Sequence, residues 1–514
     1  MEIGMNIKTA SASGNKFIYL LSYAVGGIIL FLPVLNKNFV SDDYVVLKRV
    51  CLEGTIGIYG FFRPLSDWSI YLNYLVSGFH PFGFNLVNIL LHSVNSFLLF
   101  KFCLKWKWTS DDVLHHRYAF MASILFLTYP FHNEAIVWLL GRGSLLAGTF
   151  IIAALLIFLS GWNDRIKFFG VCACYFIGLL AYESIIILPL LIFILLTGNK
   201  ASARTYLAWV MVFVITGIVH FFFRYNFSGG VFGKYEESLF RNSWLDYAAN
   251  ILKVTSRLIV PPIKNSFIFL IVSAMLSLTA IYVFFYKVII IKKQIPYKHF
   301  VFQLTSIIGC TLIIPFLVAL STKTSEGDRL LYIPSFFLCC FISFILCVWI
   351  RSIFPGKLIF ILACIYNVVF LELNNYNWFL AGKATCSILQ SLKSDTTEKI
   401  FVANLPNEIK GAYIFREGFK DALIINGIDT LKVIVINKLS KELPTDINET
   451  WVPVYYKKKI FIPPLLEVRS GVQTTTILNR SGVMEYALPV DSKLYYWDQH
   501  KFVLLKAYAG LFQE

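Results

Sequence analysis

Long apolar runs separated by short polar stretches organise the first 373 residues. The runs extend from Phe17 to Leu35, Phe84 to Leu104, Tyr118 to Tyr129, Ala135 to Ser160, Ile166 to Ala181, Ser184 to Thr197, Tyr206 to Phe223, Phe267 to Ile291, Phe300 to Leu320, Leu330 to Ile350 and Leu358 to Leu373. Each predicts a helix, and about 20 apolar residues suffice to cross a bilayer, so about eleven transmembrane helices are expected. The two shortest runs lie around the hairpins at Pro130 and Glu183, and such lengths are tolerated where protein rather than lipid surrounds a helix. The stretch from Trp244 to Pro262 is interrupted by Asp246, Lys253 and Arg257 and is read as an amphipathic or re-entrant helix that does not cross. From Asn374 onward charges return, and β-rich segments such as Val433-Ile434-Val435-Ile436 and Lys459-Ile460-Phe461-Ile462 stand between turn residues.

Composition agrees with this pattern. Hydrophobic residues make up 57% of the 514, only 15% are charged, and there are 48 Phe. That is too apolar for a soluble chain of this length and predicts an all-α polytopic membrane protein with a small C-terminal α/β or β-rich domain. A net charge of +16 would suggest nucleic acid in a soluble protein. Here no basic stripe with interleaved aromatics occurs, and no nucleic-acid partner is expected. Cys172, Cys174, Cys339, Cys340 and Cys364 lie inside apolar runs and read as small buried hydrophobes.

Basic residues fall in alternate loops: Lys8 and Lys16, then Lys101, Lys105, Lys107 and Arg117, then Arg165 and Lys167, Lys200 and Arg204, Lys287 to Lys298, and Arg351 with Lys357. By the positive-inside rule the N-terminus is cytoplasmic and the C-terminal domain extracytoplasmic, in an integral plasma (inner) membrane protein. The first run is longer than the core of a signal peptide and ends in Leu32-Pro33-Val34-Leu35 without a small-residue cleavage site, so it is read as a retained helix.

That orientation collects the polar clusters on the outer face: Asp42 and Asp43, Arg63 and Asp67, His132 and Glu134, Glu183, and Ser325-Glu326-Gly327-Asp328-Arg329. Convergence of independent loops suggests a site, against the plainer reading of solvated turns and helix caps. His132 and Glu134 lack the ligand number and spacing of a metal site. Arg142, between Gly141 and Gly143 inside an apolar run, must pair with a carboxylate or reach an anionic ligand. Asn85, Asn88, His92 and Asn95 line one helical face, the pattern of interhelical glue or, less often, of a binding surface. Arg329 is placed either to anchor the interface or to grip a phosphate bidentately.

Together these segments resemble the GT-C superfamily of polytopic glycosyltransferases, in particular the transmembrane O-mannosyltransferases that carry tetratricopeptide repeats and their repeat-free bacterial relatives. The resemblance rests on Phe39-Val40-Ser41-Asp42-Asp43-Tyr44, Phe62-Arg63-Pro64-Leu65, Asn85 to His92, Pro130-Phe131-His132-Asn133-Glu134-Ala135, Gly141-Arg142 and Asp328-Arg329-Leu330-Leu331-Tyr332-Ile333-Pro334, in that order across most of the membrane region. It implies an inverting hexosyltransferase, with mannose or glucose as the sugar, a polyprenyl-phosphate-linked donor and a hydroxyl-bearing protein, glycan or glycolipid acceptor. Asp42 or Asp43 would serve as base. Arg329, with Arg142, His132 or Arg63, would hold the lipid phosphate, and Glu134, Glu183 and Asp67 would support them. A divalent cation (Mg or Mn) is left open, since some members of the superfamily use one and the acidic pair suits either case.

The implied organisation is a GT-C catalytic transmembrane module at 1–223 with outer loop 36–83, an outer segment at 224–265, further transmembrane helices at 266–374 and a soluble domain at 375–514. Tyr182-Glu183 departs from the Lys-Glu of the repeat-bearing enzymes, so a phosphate-contacting Lys is not expected there. The C-terminal repeats are also missing, which removes the grounds for naming a protein acceptor. The alternative class is a polytopic lipid-linked sugar flippase or transporter, which would place its binding groups near the midplane and often in paired repeats. A membrane partner whose soluble domain does the work is a third reading. Gly411-Ala412-Tyr413-Ile414-Phe415-Arg416 with Gly418 reads as a packing or turn motif that could dock over a site.

Overall fold

The computed structural model describes residues 14–57, 62–198, 202–228, 244–285, 297–318, 320–349, 353–403 and 405–435, together with 454–456, 459–462, 466–470, 475–479, 485–488, 493–497 and 501–504. The end of the run to Ile291, Ile436, and the loop cations Lys8, Lys200, Lys287, Lys292, Lys293 and Arg351 lie outside the described residues. Among the described residues the apolar runs are mostly helical. Among the described residues, six helices are long and apolar enough to cross a membrane: Pro81–Lys105, Leu139–Phe158, Ala203–Phe227, Lys298–Val318, Asp328–Val348 and Gly356–Ser394. Phe17–Leu30, Glu183–Thr197 and Ser266–Met275 are shorter apolar helices. The chain is an integral membrane protein. Leu207, Ile218 and Phe222 of the Ala203–Ser228 helix stand exposed, as lipid-facing side chains do.

The chain divides into two units. The first comprises residues 1–36 and 53–376, and the second 37–52 and 377–514. In the first, the Pro81–Lys105 helix is central, packed by Gly14–Leu30, Asp112–Leu127, Arg142–Phe158 and Pro64–Ser77; Tyr332–Trp349 packs on Asp112–Leu127 and Arg142–Phe158. Lipid offers no hydrophobic drive between helices, so polar side chains bind them together. Asn85 donates to the Leu35 carbonyl at 3.1 Å, and Asn95 donates to Leu145 O and Tyr332 Oη, both at 2.9 Å. His92 lies 3.1 Å from Tyr332 Oη and 3.2 Å from Leu127 O.

The run from Ala135 is not one helix. A turn at Glu134–Val137 ends at an extended Trp138, a 3-10 turn covers Leu139–Gly141, and the long helix starts at Arg142. Gly141 permits the fold-back, because a Cβ there would lie 2.4 Å from the Ala135 carbonyl oxygen. Asn88 donates to the carbonyls of Ile136 and Trp138 at 3.1 and 3.3 Å, satisfying groups that the broken helix frees.

Trp244–Arg257 is a 14-residue helix with Trp244 and Leu245 exposed and Asn250, Val254 and Arg257 buried. At 1.5 Å per residue it spans about 21 Å, too short to cross. Helix Ile353–Ser394 has 42 residues, far more than the apolar run at its start, and its last turns belong to the second unit. In that unit, strand Ile400–Ala403 lies parallel to both Lys493–Trp497 and Val433–Val435, with Phe502–Leu504 antiparallel at the edge. Five strands from Val454 to Leu488 form an antiparallel meander.

Candidate functional site

Within the first unit, the short turn Asp328–Leu331 delivers Arg329 to a cleft lined by Ser144, Tyr182, Ser184, Ile187, Thr311, Ile314, Pro315, Leu330 and Ile333. Arg329 is oriented from behind. Its backbone N–H donates to Glu134 Oε2 at 3.0 Å, its Nη1 pairs with Glu134 Oε1, and its guanidinium lies 5.0 Å from the centre of the Trp138 ring. Glu134 is 1% exposed whereas the Arg329 side chain is 25% exposed, so the carboxylate braces and the cation reaches the cleft. The hydroxyls of Ser144 and Ser184, both buried in the cleft wall, have no hydrogen-bond partner among the described residues.

Next to Arg329, Asp328 is buried and accepts both oxygens' bonds from Arg257 Nη2, at 2.5 and 2.7 Å. Arg257 Nη1 also donates to Val260 O at 2.6 Å. The amphipathic helix is thus clamped to the turn that carries Arg329.

Arg63 and Arg224 both pair with Glu183. Arg63 donates from Nε and Nη2 to Oε2 at 3.0 and 2.9 Å, and Arg224 Nη1 reaches Oε1 at 3.0 Å. Arg63 also stacks 4.4 Å from the centre of the Tyr182 ring, and Tyr182 lines the cleft. Asp67 is buried and accepts from Gly57 N at 2.9 Å, holding the loop before its helix.

Arg142 and His132 are placed differently. Arg142 is fully buried and donates to four neutral oxygens: Asn88 Oδ1, Ser69 O, Asn73 Oδ1 and Phe84 O, at 2.7 to 3.1 Å. It ties three helices together and does not line the cleft. His132 is enclosed by the rings of His92, Phe126, Tyr129 and Tyr332, and its Nδ1 lies 2.9 Å from Ser335 Oγ. Burial, with the neighbouring His92, pushes its imidazole well below the usual range, which disfavours the charged form.

The acidic pair belongs to the second unit, at the start of helix Asp42–Leu47. Asp43 is fully buried; its Oδ2 accepts from Val40 N at 3.0 Å and lies 4.0 Å from Lys37 Nζ. Asp42 is half-buried, and its Oδ1 accepts from Ser41 Oγ at 3.2 Å. Lys37 is buried and set 5.7 Å from the centre of the Trp378 ring. Burial pulls its pKa below the ordinary lysine range, while Asp43 works in the opposite sense.

Sequence reasoning missed Lys37, Arg224, Ser144 and Ser184. Lys37 and Arg224 follow apolar runs closely, where a cation ordinarily snorkels, and only their carboxylate partners reveal them. Among the described residues no three His, Cys, Asp or Glu side chains cluster as a metal site.

Arg329, half-buried and braced by Glu134, thus stands at a cleft within an integral membrane protein. No family model matches the chain. Over 166 residues it is 32% identical to protein O-mannosyl-transferase TMTC2 of Mus musculus, a match covering 28% of this chain and 19% of that protein. Over 299 residues it is 26% identical to a protein O-mannosyl-transferase of Caenorhabditis elegans, covering 55% of this chain and 42% of that one. Its homologues are therefore protein O-mannosyl-transferases, and the chain spans less than half the length of these two. Among solved structures, ArnT from Cupriavidus metallidurans bound to undecaprenyl phosphate overlaps 84% of this chain and 91% of its own, loosely, at a TM-score of 0.43 and 13% identity.

Proposed function

We propose that the chain is a GT-C-type inverting glycosyltransferase that moves a hexose, mannose or glucose, from a polyprenyl-phosphate donor to a hydroxyl of a protein, glycan or glycolipid at the outer membrane face. The observation that carries this reading is Arg329, braced by Glu134, at an apolar cleft that also holds two unpartnered hydroxyls. A planar guanidinium and two hydroxyls are the kind of donors that phosphate oxygens accept from. Kinship with the O-mannosyl-transferases supplies the sugar-transfer chemistry.

The acceptor oxygen attacks the anomeric carbon as the bond from that carbon to the phosphate oxygen breaks, and the bonding pair leaves with the polyprenyl phosphate. The acceptor's proton passes to a carboxylate, which we assign to Asp42, since Asp43 is fully buried and Asp42 is only half-buried. Arg329 stabilises the charge that grows on the departing phosphate. Glu134 positions Arg329, and Glu183 positions Arg63. Arg142, His132 and Asp67 hold the frame. In this reading the N-terminus is cytoplasmic and the C-terminal domain extracytoplasmic.

The test is transfer of radiolabelled hexose from synthetic polyprenyl-phosphate mannose and glucose into membrane acceptors, comparing wild type with Asp42→Asn and Arg329→Ala at equal protein level. Transfer by wild type and its loss in both variants is expected. No transfer from either donor by wild type would sink the reading in favour of a flippase or transporter.

A further inference from the structure

The acidic turn is held in a backbone conformation it would not adopt alone. Ser41, immediately before Asp42, has φ +46° and ψ −124°, a region that residues with a Cβ rarely enter. A glycine would be the default there. The forces that keep Ser41 in place come from a segment more than 370 residues along the chain and in the same unit. Ser41 N donates to Ile414 O at 2.7 Å, and Glu417 N donates to Ser41 Oγ at 3.2 Å. Gly418, itself at φ +74°, passes so close that a Cβ would lie 2.5 Å from Ser41 O. The Tyr44 ring stacks on Phe415 with centroids 6.4 Å apart, and Lys48 pairs with Asp421 at 3.4 Å.

The hydroxyl explains why serine stands where glycine would relax the chain. Its oxygen accepts the Glu417 N–H, which leaves its single proton for Asp42 Oδ1 at 3.2 Å. We propose that the segment Ile414–Gly418 and Ser41 form a positioning device that fixes the orientation of the Asp42 carboxylate through this relay. The proposal rests on the reading of Asp42 as the base. Packing alone would require neither the hydroxyl nor the strained turn.

Four full-length variants separate positioning from packing: Ser41→Gly, Ser41→Ala, Ser41→Thr and Gly418→Ala, each read by kcat, donor KM and thermal midpoint with polyprenyl-phosphate mannose and glucose. Ser41→Gly removes both strain and hydroxyl, so a midpoint equal to or above wild type is expected with kcat lower by on the order of tenfold and donor KM unchanged. Ser41→Thr keeps the hydroxyl at a worse backbone fit and should retain most of kcat at a lower midpoint. Gly418→Ala should lower kcat and the midpoint together. Wild-type kcat in Ser41→Gly overturns the proposal, as does Ser41→Thr falling as far as Ser41→Gly. If the glycine variant is not recovered, Ser41→Ala decides by the same kcat criterion. Asp42→Asn in the same assay keeps the two readings apart. Activity retained there sinks the base assignment itself, whereas its loss beside a fully active Ser41→Gly sinks the positioning device alone.

Discussion

Replacing Arg329 by Lys keeps a cation at the cleft and removes the planar fork. Two interactions of the guanidinium are lost or weakened: its pairing with the buried Glu134 and its contact with the Trp138 ring. A point charge can satisfy either Glu134 or a phosphate oxygen well, whereas a fork can face both. A charge-assisted hydrogen bond contributes roughly 1.5–3 kcal/mol and an exposed cation–π contact about 0.5–1 kcal/mol. The side chain is partly exposed, so we take about 2 kcal/mol, which corresponds to about 30-fold in kcat/KM for the donor. Glu134→Gln keeps an acceptor for the Arg329 N–H and removes only the charge, with an expected cost of about 1 kcal/mol, or about fivefold. Glu134 acts through Arg329, so the double variant should lose less than the product of the single losses, by a coupling of about 1 kcal/mol. Initial rates of polyprenyl-phosphate release from purified protein measure all three. Wild-type kcat/KM in Arg329→Lys, or strict additivity in the double variant, would refute the reasoning.

Asp328→Asn strands Arg257 in a fully buried site and is expected to cost about 3–5 kcal/mol of stability, read as a lower thermal midpoint in detergent; Arg257→Met with Asp328→Leu should recover much of it. Asp43→Asn removes the carboxylate beside buried Lys37 and should lower the midpoint and yield, with a smaller effect on kcat per folded molecule than Asp42→Asn. Asp395 is a pH-dependent support: burial acts to raise its pKa, but hydrogen bonds from Thr397, Tyr495 and Lys493 outweigh that and hold the carboxyl below its usual range. A depressed folded-state pKa contributes stability that is present above about pH 4 and lost as pH falls below it. The stability difference between wild type and Asp395→Asn, about 1–3 kcal/mol at pH 7, should therefore shrink on acidification.

Helix positions were legible because a membrane helix needs only a long apolar run, and the described parts of the runs chosen by hydropathy are mostly helical. The break at Trp138 was not, because nothing in Ala135–Ser160 reports that Gly141 must approach the Ala135 carbonyl or that Asn88 lies across the gap. Among site residues, Arg329 and Glu134 were each visible as charges beside apolar runs, but their pairing across 195 positions was not. Arg142 was expected to meet a carboxylate or an anionic ligand, and the structure surrounds it with amide and carbonyl oxygens, a solution that uses residues too ordinary to attract notice. The Asp42–Asp43 pair was conspicuous, whereas the unequal burial of its members depends on Lys37 and Val40 folding back on Asp43.

The stretch from Lys37 to Leu52 also shows why the C-terminal region is more than an appendage. These sixteen residues satisfy only some of their own backbone groups, as Asp43 N and Tyr44 N do on Val40 O and Ser41 O, and an unpaired buried N–H or C=O is costly. Ser41 N finds its acceptor at Ile414, Ser41 Oγ accepts from Glu417 N, and Gly418 lies so close to Ser41 O that a Cβ would stand 2.5 Å from it. A chain lacking residues 377–514 would keep the acidic pair in its sequence and lose the partners that give it a defined geometry.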